Sequence, residues 1–194
     1  MMKDAKKNQE DNYETYLTKA GLTVEQINSL KDLHYFSAPA SKGHHLTKFG
    51  GLAEHCENVT RRLLEMTRTL GVEWPRPESP YIVGMLHDLV KCRCYGYAGD
   101  DDEGRPTWEY VQPTYPGHGS CSVAIAAEIG IRLRPAEIAT ITYHMGLYGC
   151  ESEYSKKEFS AAMAMYAPQI LATIYADWWA ARVDEEKRGE HEQA

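Results

Sequence analysis

Residues 50–71 read GGLAEHCENVTRRLLEMTRTLG, and they decide the fold class. Leu52, Cys56, Val59, Leu63, Met66 and Leu70 recur in alternating steps of four and three, which places them on one face of an α-helix. Gly50 and Gly51 lead into that helix, and Gly71 stops it where a left-handed cap is expected. Working outward, Val24, Ile27, Leu30 and Leu33 are spaced by three and predict an earlier helix over 23–34, ended before Pro39. The stretch SKGHHLTKFGG at 41–51 reads as the loop between the two. Downstream, a third helix is expected from Tyr81 to about Val90, and three more over 120–129, 135–145 and 157–182, with Pro168 splitting the last. Between Arg93 and Pro116 the pattern changes. Alternating aromatic and small residues flank the turn DDEGRP, which predicts a short β-hairpin. The expected fold is therefore all-α: a bundle of six or seven helices with one small hairpin insertion.

The composition suits that picture. The chain has 194 residues, 43% hydrophobic and 25% charged, which fits one soluble domain. Both ends are polar: residues 1–22 read as a polar N-terminal segment, 23–183 as the domain, and 184–194 as a charged, disordered tail. No apolar run approaches eighteen residues, so no transmembrane helix is expected, and the first residues lack the apolar core of a secretory signal. The five cysteines are odd in number and are expected as reduced thiols in a cytoplasm. A net charge of −7 argues against a protein that grips long nucleic acid through its backbone. It leaves room for a small phosphorylated substrate, because a bound metal can supply local positive charge.

The chemistry sits in the histidines and two aspartates. His55 borders the buried stripe of the 50–71 helix, and His87-Asp88 lie within GMLHDLVK, among Met85, Leu86, Leu89 and Val90. His118 stands between two glycines at a helix start, and His144 falls three residues after Ile141. Asp177 follows Ile170 and Ile174 on an inward-facing stripe. A buried carboxylate is costly without a cationic partner. Inward carboxylates and imidazoles on separate helices serve either as ligands to a divalent metal (Mn, Fe, Zn, Co or Ni) or as a buried His–Asp ion-pair network.

The order His55, His87-Asp88, His118, His144, Asp177 resembles the H…HD…H…H…D pattern of the HD-domain superfamily of metal-dependent phosphohydrolases. GMLHDLVK is similar to that family's LLHDIGK, with Lys91 in the place of its lysine. Pro39-Ala40-Ser41, His44-His45 and GGLAEH also resemble the approach to the first ligand in the HD domain of YhaM-type 3′–5′ exoribonucleases. The likeness spans roughly residues 39–177. It departs from those enzymes in having no nucleic-acid-binding domain ahead of residue 23, and its tyrosine-rich hairpin is not basic.

The resemblance implies an HD-domain helical bundle with two divalent metal ions. One would be held by His55, His87, Asp88 and Asp177; Asp88 would bridge to a second, completed by His118 and His144. It further implies hydrolysis of a phosphate ester (a nucleotide, a small phosphomonoester or diester, or a short oligonucleotide) by a metal-activated water. Asp88 and Lys91 would be the catalytic residues, with Lys91 also reaching the phosphate as a point charge. His44, His45 and Lys48, just ahead of the first ligand, and Tyr148, just after His144, are candidates for the substrate rim. Two other readings share the same ligands: a mixed-valent di-iron oxygenase, and a non-catalytic nucleotide-binding module. The sequence leaves the oligomeric state open.

Overall fold

The computed structural model of the chain describes residues 13–42, 46–104, 106–112, 117–150 and 152–185. Among them the fold is all-α, with seven α-helices and one two-stranded antiparallel sheet. Helix α1 covers residues 13–19, followed by α2 (Val24–Asp32), α3 (Gly51–Leu70) and α4 (Ser79–Leu86). A 3-10 turn, Leu89–Arg93, leads into β1 (Tyr95–Asp100) and β2 (Pro106–Tyr110). Then come α5 (His118–Glu128), α6 (Pro135–Thr142), a second 3-10 turn (Gly146–Gly149) and α7 (Glu153–Trp179), which runs on into a π-turn, Ala180–Asp184.

Local chemistry accounts for most boundaries. Thr23 and Gln26 form a reciprocal capping box at the start of α2: the Gln26 amide donates to Thr23 Oγ1 at 3.3 Å, and the Thr23 amide to Gln26 Oε1 at 3.0 Å. Gly71 takes the left-handed conformation that ends α3. The hairpin pairs Tyr95 with Tyr110 and Tyr97 with Trp108, with a bulge between Tyr97 and Gly99. Trp108 meets the His34 ring edge-on at 5.1 Å, which ties the hairpin to the end of α2.

Helix α3 is the centre of the bundle. Leu52, Cys56, Val59 and Leu63 are fully buried, and each large apolar side chain so removed from water contributes about 1.5–3 kcal/mol. The stripe ends sooner than its spacing predicts, since Leu70 is exposed. Gly84 lets α4 press against α3: a Cβ there would stand 2.3 Å from Thr60 Oγ1. Helices α4 and α6 are pinned together at their N-termini by Glu137. That fully buried carboxylate accepts from Arg76 Nε and Nη2 at 2.8 Å each, from Ser79 Oγ at 2.7 Å and from the Arg134 amide at 2.7 Å. Both helices have eight residues, so both end about 12 Å further on, where His87 and His144 follow.

Several boundaries differ from the sequence reading. Residues 13–22 are not a polar lead-in, because Tyr13, Leu17, Ala20 and Leu22 belong to the same buried core as α3. One apolar residue per turn among charges gave too thin a stripe to read. Residues 184 and 185 do not belong to a disordered tail: Asp184 accepts from Arg62 Nε at 2.7 Å and Nη2 at 2.6 Å, and Glu185 is buried, while 186–194 lie outside the described residues. The helix expected from Tyr81 stops at Leu86 rather than near Val90, and the one expected over 135–145 stops at Thr142, leaving His144 beyond its end. Helix α7 starts at Glu153 and bends at Tyr166 (φ −133°, ψ 25°), two residues ahead of Pro168, where the sequence places a break. All five cysteines are free thiols, and among the described residues no helix is long and apolar enough to cross a membrane.

Candidate metal centre

Six side chains from five segments meet beneath α3. His55 comes from the second turn of α3, and His87 caps the end of α4. Asp88 sits in the break between α4 and the following 3-10 turn, with φ −107° and ψ 22°. In an unbroken helix, neighbouring side chains diverge by about 100°; the break at Asp88 re-aims it toward the histidines. His118 is the first residue of α5, His144 follows α6, and Asp177 lies near the end of α7. Gly119 makes the meeting of α5 and α6 possible, since a Cβ there would lie 2.3 Å from the carbonyl oxygens of both Ile141 and Thr142.

Asp88 is the hub. Its Oδ1 accepts from His118 Nε2 at 2.5 Å and stands 3.5 Å from His144 Nε2. Its Oδ2 stands 3.8 Å from Nε2 of both His55 and His87. Asp177 Oδ1 is 3.2 Å from His55 Nε2. The imidazoles are close-set, with centroids 5.3 Å apart for His55 and His87, 4.9 Å for His87 and His144, and 5.3 Å for His118 and His144.

The outer nitrogens of three rings fix which way the rings face. His87 Nδ1 donates to the Gly84 carbonyl at 2.9 Å, and His144 Nδ1 to the Ile141 carbonyl at 2.7 Å. A carbonyl only accepts, so Nδ1 carries the proton and the Nε2 lone pair points inward. His55 Nδ1 meets Glu185 Oε1 at 2.9 Å, and Asn58 Nδ2 donates to the same oxygen at 3.1 Å. Imidazoles held from behind by a carbonyl or carboxylate are the usual arrangement of histidine ligands.

The donor set fits a divalent cation. Nε2 of His87 and of His144 are buried, and no hydrogen bond satisfies either among the described residues. Three groups each gather ligand atoms within 4.8 Å of one another: His55, His87 and Asp88; His87, His144 and Asp177; and Asp88, His118 and His144. Neutral imidazole nitrogens and carboxylate oxygens suit first-row divalent metals. The electrostatics agree. Burial pulls His87 down to about 4, so it is neutral and able to ligate at pH 7. Burial also opposes ionisation of both aspartates, but the surrounding imidazoles prevail: His118 holds Asp88 well below the usual carboxylate range, and His55 brings Asp177 down to about 2. Burial works against a charge on His55 too, yet Asp177 and Glu185 together raise it to about 10. Two ionised carboxylates thus demand positive charge here, which an imidazolium or a divalent cation meets.

The other sequence candidates are spread around this cluster. Lys91 lies in the 3-10 turn three residues beyond Asp88, half-buried, and its charge helps to hold Asp88 ionised. Lys48 pairs with the buried Glu54, beside His55, at 3.1 Å. Tyr148 is exposed on the Gly146–Gly149 turn and faces Trp178. His44 and His45 lie outside the described residues. Glu185 and Asn58 went unread in the sequence. Asn58 is only an inward polar residue three after His55, and Glu185 lies eight residues past Asp177, which in a regular helix would set it well off that face. The wider winding of the π-turn brings it back. No protein-family model, curated protein or solved structure matches the chain.

Proposed function

We propose that the chain is a metal-dependent phosphohydrolase of the HD-domain type. Its substrate would be a phosphate ester: a nucleotide, a small phosphomonoester or diester, or a short oligonucleotide. One observation carries the reading: Asp88 is shared between two groups of ligand atoms, beside buried and unsatisfied Nε2 atoms of His87 and His144. The ordered sequence pattern that resembles the HD-domain superfamily supports it. One cation would be held by His55, His87, Asp88 and Asp177, and a second by Asp88, His118 and His144. Divalent cations so placed supply Lewis acidity toward a phosphoryl oxygen and lower the pKa of water enough to give a nucleophile near neutral pH.

The chain's own residues contribute position and charge. Glu185, Gly84 and Ile141 hold three imidazoles in one orientation from behind, so the donors need little rearrangement. Lys91 adds a positive charge for the phosphate. The reaction forms a bond from the water oxygen to phosphorus, breaks the bond from phosphorus to the ester oxygen, and delivers a proton to that oxygen.

The test is hydrolysis of p-nitrophenyl phosphate and bis-p-nitrophenyl phosphate with added Mn²⁺, in the native chain and in Asp88→Asn. Turnover of either ester that falls at least about a hundredfold in the variant is the expected result. Turnover unchanged by the substitution overturns the assignment, as does a native chain that holds metal and hydrolyses neither ester.

A further inference from the structure

Helix α7 is apolar on two faces. Ile170, Ala172 and Ala176 are buried in the body of the chain. On another face Pro168, Leu171, Tyr175 and Trp178 recur in steps of three, four and three, and all four are exposed. Leu171, Tyr175 and Trp178 are each half in water, at 53%, 50% and 52%. Such steps keep side chains in one line for about 15 Å of helix, and they make the seam with which one helix packs on another. A helix apolar on more than one face is normally covered on each of them. Here the described residues cover one and leave the other as a ridge, which Tyr148 extends with its ring centroid 6.1 Å from that of Trp178.

Beside the ridge, between α7 and α3, runs a groove of about 850 Å³. Its other wall is Met66 and Leu70 of α3, with Val72 just beyond the helix end. Leu70 closes the stripe that α3 otherwise buries, yet it is 68% exposed. Together Leu70, Tyr148, Leu171, Tyr175 and Trp178 leave roughly 600 Å² of largely apolar surface in water, the upper end of what a monomer shows. With the rest of the groove, the patch approaches the roughly 800 Å² that each partner contributes to a stable complex.

The page of contacts narrows the occupant. Residues 1–12 and 186–194 contain no aromatic and no branched aliphatic side chain with which to fill the groove. Of the described residues lining it, only Arg62 and Glu65 are charged, and they pair with each other at 3.0 Å. The groove thus calls for no charged partner, and two copies meeting there set no unpaired like charges together. A two-fold contact requires each copy to present both complementary halves, and a ridge with a hollow alongside it on one patch meets that requirement. We propose that this face is the interface of a homodimer, in which the α7 ridge of each copy enters the α3–α7 groove of the other. The contact uses none of the six candidate ligands and holds whatever reaction they serve.

The test is analytical ultracentrifugation of the full chain across a dilution series, with Leu171→Glu, Tyr175→Glu and, as a control, Val24→Glu on the exposed face of α2. The native chain should sediment at twice the mass of one chain, with a dissociation constant of about 10 μM or lower. Leu171→Glu and Tyr175→Glu should each weaken the dimer at least about a hundredfold with the helical circular dichroism unchanged, since both positions are already half in water. Val24→Glu should dimerise like the native chain. Tryptophan emission of the native chain should shift to longer wavelength on dilution, as Trp178 enters water, and Leu171→Glu should show the shifted emission at every concentration. A native chain that stays monomeric at about 100 μM overturns the proposal and leaves the groove to a foreign partner. A dimer that survives both α7 substitutions also overturns it, as does one that Val24→Glu disrupts equally.

Discussion

Asp88 is the electrostatic hub, because four imidazole nitrogens face its two oxygens. Asp88→Asn keeps the volume and removes the charge. Mn²⁺ affinity, read by calorimetry, should fall more than about a hundredfold, with the helical circular dichroism unchanged. An unaltered affinity would mean that metal binds elsewhere. Glu185 acts one step back, through His55. Glu185→Gln should weaken Mn²⁺ binding by about 10–100-fold, the usual effect of removing a carboxylate behind a histidine ligand. His55, His87, Asp88, His144 and Asp177 were readable in the sequence because each borders or interrupts an apolar stripe that has no use for a polar group, and His118 from its place between two glycines at a helix start. Glu185 was not, since it follows Arg182 and Asp184 in a stretch whose charges look like a solvated tail.

The helices and turns then decide whether those side chains meet. Helices α5 and α6 touch backbone to backbone at Gly119, so Gly119→Ala must drive His118 away from Asp88. The variant should lose Mn²⁺ affinity and melt several degrees lower; a variant that binds and melts like the native chain would show that the close approach is dispensable. Glu137 fixes the opposite ends of α4 and α6. Burial opposes its ionisation, but Arg76 prevails and holds its pKa below the ordinary 4.5. A carboxyl lowered on folding stabilises the fold above its unfolded pKa, and that contribution is lost as pH falls through the folded value. Glu137→Gln should therefore cost about 3 kcal/mol at pH 7, and the gap between the two chains' urea midpoints should narrow below pH 4.5. A gap independent of pH would contradict the pairing. The elements themselves were legible from periodicity, while their ends were less so. The apolar run through Leu89 and Val90 continues past His87-Asp88, so nothing in the spacing announces the break that aims Asp88.

For the molecule as a whole, an all-α bundle with one hairpin followed from the sequence, because apolar steps of three and four dominate the chain and alternate only around the DDEGRP turn. The extent of the core did not follow. Tyr13 and Leu17 at one end and Glu185 at the other join the same body, and their charged neighbours conceal it. Because the candidate ligands come from α3, α4, α5, α6 and α7 or the turns that directly follow them, two cations at this centre would together tie five helices. Binding of that kind raises stability in proportion to the logarithm of ligand concentration over Kd, by about 2.7 kcal/mol at a hundredfold excess over Kd. Mn²⁺ should accordingly raise the melting temperature by several degrees, and a chelator should reverse the gain. The most direct test of the central claim is the metal stoichiometry, measured by titrating Mn²⁺ into the chelator-treated chain in a calorimeter, with Asp88→Asn alongside. Two ions bound per native chain, with tight binding lost in Asp88→Asn, is the predicted result. A native chain that takes up no Mn²⁺, or takes it up equally well without the Asp88 carboxylate, would contradict the account.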